Sequence, residues 1–328
     1  VDGDAVAEVV GRGDLDELLR MVDACVSRRD WEALADLRAR CARAYLDTGR
    51  QLWPVAAHAA YRLALEAPAP WAASVLVDDG DRFTIGPLPE VAAQTHNWQE
   101  LAPHIAPGAT GVLTAHERVL RGDDLRDIEV SGPPVLELPF RLEPWEPSYA
   151  LAEYRADTAD FPTPPAPALE HVELPAPRAP EPQDDAVRAL RDLARAWTRS
   201  SNGRADAVQV SGDALGAISA LGPSAARVAR VDPADAVAWM AWAGASGGAH
   251  GRRPGAAAGR FAAWWTAAAL AGVLDDWPPP PGHLGREIAR LRWYLWDAAE
   301  PATGWALHLA VDDPDREIAW ALAAVDAD

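Results

Sequence analysis

The chain has 328 residues, 49% of them apolar, and a formal net charge of −19. That charge argues against nucleic acid and anionic membrane surfaces as partners, because both must be met by clustered cations. All 30 basic residues are Arg, so chemistry that depends on a lysine, such as a Schiff base or a P-loop, is excluded.

The N-terminal part reads as helices. Leu15, Leu18, Leu19, Val22, Cys25 and Val26 recur at helical spacing. Trp31, Leu34, Leu37, Cys41 and Tyr45 do so after a break at Arg28-Arg29-Asp30, and Leu52, Val55, Ala56, Ala59 and Leu63 form a third stripe. Long stripes with short breaks predict antiparallel helix hairpins, in an arrangement resembling an α-solenoid. Thr114 and Glu117 stand at capping-box spacing and predict a helix from Thr114 to Leu120. Residues 1–130 are thus expected to form a helical domain. Val135–Arg141 alternates as a strand and Tyr149–Tyr154 as a further one, so residues 131–160 read as a short β connector.

Residues 161–182 hold eight prolines and read as an extended linker. A second domain is expected over 183–328. It starts with a helix near Asp184–Arg199, a strand over Ala207–Ser211 and a helix at Asp213. Asp232-Pro233 and Pro254 each predict a helix start. Near the end, Trp305–Asp312 and Ile318–Ala324 alternate about an Asp-Pro turn, which predicts a hairpin with Trp293–Trp296 beside it. The fold class expected is α+β: a helical N-terminal part, and a C-terminal part with helices and a small, mainly antiparallel sheet.

Charge is unevenly spread. Residues 1–160 carry 28 acids against 15 Arg, and residues 183–328 carry 18 against 14. An acidic face suits solubility or a basic protein partner. The two cysteines, Cys25 and Cys41, exclude a disulfide scaffold and fit a reducing compartment. Their places on apolar stripes suit a core role. The first fifteen residues lack the apolar run of a secretory signal, and the run over 261–274 is too short to span a bilayer. A cytoplasmic protein is expected.

The richest chemistry lies between Gly244 and Arg260. Gly248 and Gly251 allow close approach of a ligand to the backbone, and His250, Arg252, Arg253 and Arg260 offer a proton donor and guanidinium forks for a phosphate or carboxylate. The same glycines also serve to end one helix and pack it on the next, with the arginines paired to the chain's own acids. Gly244-Ala-Ser246-Gly-Gly248 matches the G-x-S-x-G nucleophile elbow, with Asp276 or Asp297 and then His308 in hydrolase order. An elbow needs a strand before its serine, and here the preceding segment reads as helix. Nine of the 15 Trp lie between Trp239 and Trp320, where indoles fill a core or line a pocket. Trp264 and Trp265 cannot share one face of a helix. The scattered His form no metal motif, so neither metal nor cofactor is expected.

Gly247–Arg260, Trp293-Tyr-Leu-Trp-Asp297 and Gly304-Trp-Ala-Leu-His-Leu309 resemble segments of an uncharacterised actinobacterial protein family. The resemblance covers mainly the last hundred residues and implies no activity. The leading expectation is a non-catalytic binding protein with a small-anion site at residues 246–260. An immunity-like inhibitor of a basic protein and a Ser246 hydrolase are the alternatives.

Overall fold

A computed structural model describes residues 3–77, 83–299 and 304–327, with side chains from Val6 onward. The fold is α+β. The chain forms two compact units, Val1–Val135 with Ala152–Asp160, and Leu136–Leu151 with Phe161–Asp328.

The first unit opens with helices α1 (Gly3–Arg12), α2 (Leu15–Arg28), α3 (Trp31–Thr48) and α4 (Trp53–Glu66). Asp14 and Asp30 cap two of them, accepting the N–H of Glu17 at 3.0 Å and of Ala33 at 3.2 Å. Left-handed Arg29 and Gly49 end α2 and α3. Leu18, Val22 and Cys25, then Leu34, Leu37 and Cys41, then Val55, Ala59 and Leu63 are buried, as their spacing predicts. Leu15, Leu19 and Tyr45 are not: they are exposed, at the margin of arcs already filled by those neighbours.

Helices α5 (Ala69–Ala73), α6 (Leu88–Thr95), α7 (Trp98–Leu101) and α8 (Ala109–Leu120) follow. Helix α8 begins five residues before Thr114, directly after Gly108. Thr114 is therefore interior, donating to the Thr110 carbonyl at 2.8 Å, and the capping box forms at Asn97 and Glu100 instead. The strand expected at Val135–Arg141 is absent, since prolines on both sides remove ladder donors. Only β1 (Glu153–Tyr154) and β2 (Ala159–Asp160) pair, so residues 131–160 are no single β connector. Gln94 of α6 holds the Tyr154 backbone on both sides, at 2.9 and 2.6 Å, and the Tyr154 hydroxyl donates to Glu90 at 2.7 Å.

The second unit is built on a six-stranded, wholly antiparallel sheet in the order β3-β5-β6-β7-β8-β4. Its strands are β3 (Glu170–Val172), β4 (Arg204–Ser211), β5 (Ala226–Val231), β6 (Arg292–Asp297), β7 (Trp305–Asp313) and β8 (Ile318–Asp326). The β7–β8 hairpin and its neighbour β6 are those predicted from alternation. The Pro-rich segment is not a free linker. It supplies edge strand β3, and its carbonyls and amides reach the unit's body: Pro175 accepts from Ser219 at 2.7 Å and the Glu181 amide donates to Gln209 at 2.9 Å. Proline suits such an edge, where half the amides need no partner strand.

Helix α9 (Asp185–Asp192) is capped by Asp184, at 2.8 Å from the Val187 amide. The single helix expected to Arg199 is broken, and α10 (Arg195–Ser200) follows as a separate turn. Helix α11 (Ala214–Ala220) covers one sheet face over Val210, Trp296, Ala310 and Ala319. Helices α12 (Pro233–Ala245), α13 (Ala256–Ala271) and α14 (Pro281–Arg290) complete the unit. Asp232 makes no side-chain cap, and α13 starts after Gly255 rather than at Pro254. Helices α9 and α12 lie on the sheet, and α13 packs against both. A Cβ on Gly259 would collide with the Ala241 carbonyl, so this glycine lets α13 approach the α12 backbone.

Candidate ligand-binding site

The glycine-rich loop between α12 and α13 is held by its own Ser246 and by two side chains outside it, Asp326 and Ser201. The Gly248 amide donates to Ser246 Oγ at 3.0 Å, the Ala249 amide to Asp326 Oδ2 at 2.7 Å and the His250 amide to Ser201 Oγ at 3.0 Å. Asp326, at the end of β8, is buried. Gly248 has φ +72, and a Cβ there would strike the Asp326 carboxylate. The loop closes on the chain's own Asp326, which accepts the Ala249 amide. Gly247 and Gly251 pack backbone on backbone, each where a Cβ would meet the other's carbonyl.

The candidate ligands of the loop are not gathered round one point. His250 and Arg252 are exposed on its rim. The Arg253 guanidinium lies 5.0 Å from the centre of the Phe161 ring. Arg260 is fully buried and points away from any solvent anion. It donates to Glu146 through Nε and Nη2, both at 2.7 Å, and to the carbonyls of Pro139 at 2.9 Å and Arg141 at 2.7 Å. Burial opposes both charges, yet the paired hydrogen bonds outweigh it: the Glu146 carboxyl is held below its ordinary range and Arg260 above its own. Trp264 Nε1 and the Tyr149 hydroxyl also donate to Glu146, at 3.0 and 2.5 Å.

The G-x-S-x-G serine sits at the C-terminal end of helix α12, buried, and its oxygen is held by the Gly248 amide. No strand precedes it. Asp297 is bound by Arg227 at 3.0 and 2.6 Å, and His308 packs on Trp296 at 4.6 Å between ring centres. Burial lowers the pKa of His308, against the pull of nearby Asp297. No hydrogen bond among the described residues joins Ser246 to either. Asp276 lies in a short 3₁₀ turn after α13.

Beside the loop, a cavity of about 550 Å³ opens between α9–α10 and α12–α13. Its floor is small and apolar, with Ala189, Leu193, Gly244, Ala258 and Ala262. One wall is aromatic: Phe261 and Trp265 lie one turn apart on α13 with ring centres 6.1 Å apart and planes 26° from parallel. Trp277 braces both edge-on, at 5.6 and 4.9 Å. Trp264 is fully buried while Trp265 is half-buried in this wall, as their adjacency on a helix requires. The polar rim consists of Asp192, Arg195, Arg199 and Ser200 from α9–α10. Arg195 approaches Asp192 at 3.7 Å, whereas Arg199 makes no ion pair or hydrogen bond among the described residues. Size and lining match small-molecule sites in general. The sequence signalled the Trp265 wall but not the α9–α10 rim, whose arginines look like an ordinary solvated helix face.

Among the described residues, no three His, Cys, Asp or Glu side chains gather as metal ligands, and no helix is long and apolar enough to cross a membrane. An antiparallel sheet flanked by helices, with a cavity between helices, defines a class of architecture and no activity. The chain belongs to the family of unknown function DUF6183, whose model matches residues 16–328. The match thus extends far beyond the C-terminal hundred residues. No curated protein and no solved structure matches the chain.

Proposed function

We propose that this chain is a non-catalytic binding protein whose second unit holds a small amphipathic ligand in the cavity between α9–α10 and α12–α13. The observation that carries this reading is the cavity itself: about 550 Å³, with a mostly apolar and aromatic lining and its charged side chains, Asp192, Arg195 and Arg199, on α9–α10. The neighbouring loop acts as its scaffold, fixed by Asp326 and Ser201. Buried, free thiols at Cys25 and Cys41 support a reducing, cytoplasmic setting. The test is a thermal-shift screen with small aromatic compounds on the wild type and on Ala258→Phe, which fills the cavity. Ligands that bind the folded state raise its melting temperature by mass action. Shifts in the wild type that vanish in a folded Ala258→Phe protein support the reading, and their absence from the wild type counts against it.

A second reading concerns the first unit and a basic protein partner. Exposed Trp53 and Phe83 lie 3.7 Å apart between ring centres, tilted by 31°, and line one groove with exposed Tyr45. Aromatic anchors of this kind dominate binding surfaces, and the first unit, with 25 acids against 14 Arg over residues 1–135 and 152–160, has a net charge of −11 that favours a cationic partner. An arginine- and leucine-containing probe peptide should bind the wild type and lose affinity for Trp53→Ser. Equal affinity for both proteins argues against this surface.

A further inference from the structure

The charges at the cavity rim do not cancel. Asp192 approaches Arg195, which leaves the Arg199 guanidinium as the uncommitted cation of the lining. The local balance of two Arg against one Asp is a single positive charge. It sits at the exposed side of a pocket whose other lining is apolar apart from Ser200 and Thr266. A ligand that matches this layout has one negative charge at one end and an uncharged body at the other. A dianion leaves excess charge beside Asp192, and a neutral acceptor can take a hydrogen bond from the guanidinium but leaves its charge uncompensated.

The body of the ligand is set by the wall. Phe261 and Trp265 stack on each other and each meets Trp277 edge to face, so the aromatic lining is fixed and loses little freedom on binding. Leu193 and Ala189 add apolar lining, and the hydroxyls among the lining residues are those of Ser200 and Thr266. Thr266, which also lines the cavity, has its hydroxyl donated to the Ala189 carbonyl at 3.2 Å.

We infer that the cavity takes an aromatic monocarboxylate, its ring system against Phe261 and Trp265 and its carboxylate on Arg199. The inference rests on the binding role proposed above and names the ligand class for that same site. Arg199 accounts for charge selectivity, and the aromatic wall for the ring. Because Arg199 is exposed and unpaired, replacing it leaves the fold intact.

The probes are 2-naphthoate, its neutral isostere 2-naphthamide and the dianion 2-naphthyl phosphate, titrated by calorimetry into the full chain and into Arg199→Gln. The wild type should bind naphthoate on the order of tenfold more tightly than naphthamide, the factor expected of a charge-assisted hydrogen bond. In Arg199→Gln the preference for naphthoate over naphthamide should vanish. Equal binding of naphthoate and naphthamide to the wild type overturns the carboxylate assignment and leaves the cavity as a neutral-ligand site. Tighter binding of naphthyl phosphate overturns the single-charge argument. Failure of all three to bind overturns the cavity reading itself.

Discussion

Glu146 and Arg260 meet with both side chains closed to solvent, joined by two hydrogen bonds of 2.7 Å across 114 positions of sequence. Breaking a buried pair leaves a charge without compensation, at a cost of roughly 3–5 kcal/mol. Glu146→Ala should therefore destabilise the second unit by about that amount in urea unfolding. The double variant Glu146→Leu, Arg260→Met should recover much of the loss, since it removes both charges and keeps the volume. A single-variant cost below about 1 kcal/mol would be inconsistent with a buried, paired charge.

The same pair sets an acid limit. The Glu146 carboxyl is held below its ordinary range when folded, so the unfolded chain takes up this proton first as the pH falls. Its contribution is complete above the unfolded value, near 4.3, and is lost as the pH drops through the folded value. Unfolding free energy measured from pH 7 to pH 3 should decline below about pH 4.5. Glu146→Gln should be less stable at pH 7 and show a shallower acid decline. An unchanged slope in that variant would place the acid sensitivity elsewhere.

Gly259→Ala sets two local effects against each other. Alanine gains up to about 1 kcal/mol in helix propensity. Its Cβ, however, would collide with the Ala241 carbonyl and crowd Ala245, where backbone cannot yield cheaply. The expected outcome is net destabilisation, read as a lower urea midpoint. Net stabilisation would mean that α12 and α13 are not in such close contact.

What was legible in the sequence was local. Asp184 and Asp213 mark helix starts because a cap acts on amides two or three residues away, whereas Asp232 marks one through the Pro that follows it and makes no side-chain cap. The β7–β8 hairpin was readable because alternation states which residues face inward. Arg260 was misleading because its partner lies in 136–151, a segment whose alternation suggested a strand and whose prolines prevented one. The loop amides looked open because nothing local shows that β8 ends with Asp326 beside Ala249. The cavity depends on how α10 breaks from α9 and on how near Gly259 brings α13 to α12, which is packing and not pattern.

Asp326 gives the loop its shape by accepting the Ala249 amide, which has no other partner among the described residues. Asp326→Ala should speed hydrogen exchange at Ala249 by more than tenfold, corresponding to roughly 1.4 kcal/mol or more of lost protection. Asp326→Asn keeps an acceptor oxygen and should lie closer to the wild type. Equal exchange in all three proteins would show that the loop holds itself.

The central claim is that the cavity binds a ligand without changing it. Equilibrium dialysis of the full chain against 2-naphthoate, with mass analysis of what is retained, tests it most directly. One naphthoate per chain should be held, chemically intact, and Ala258→Phe should hold none. Conversion of the probe, or equal retention by Ala258→Phe, would contradict the claim.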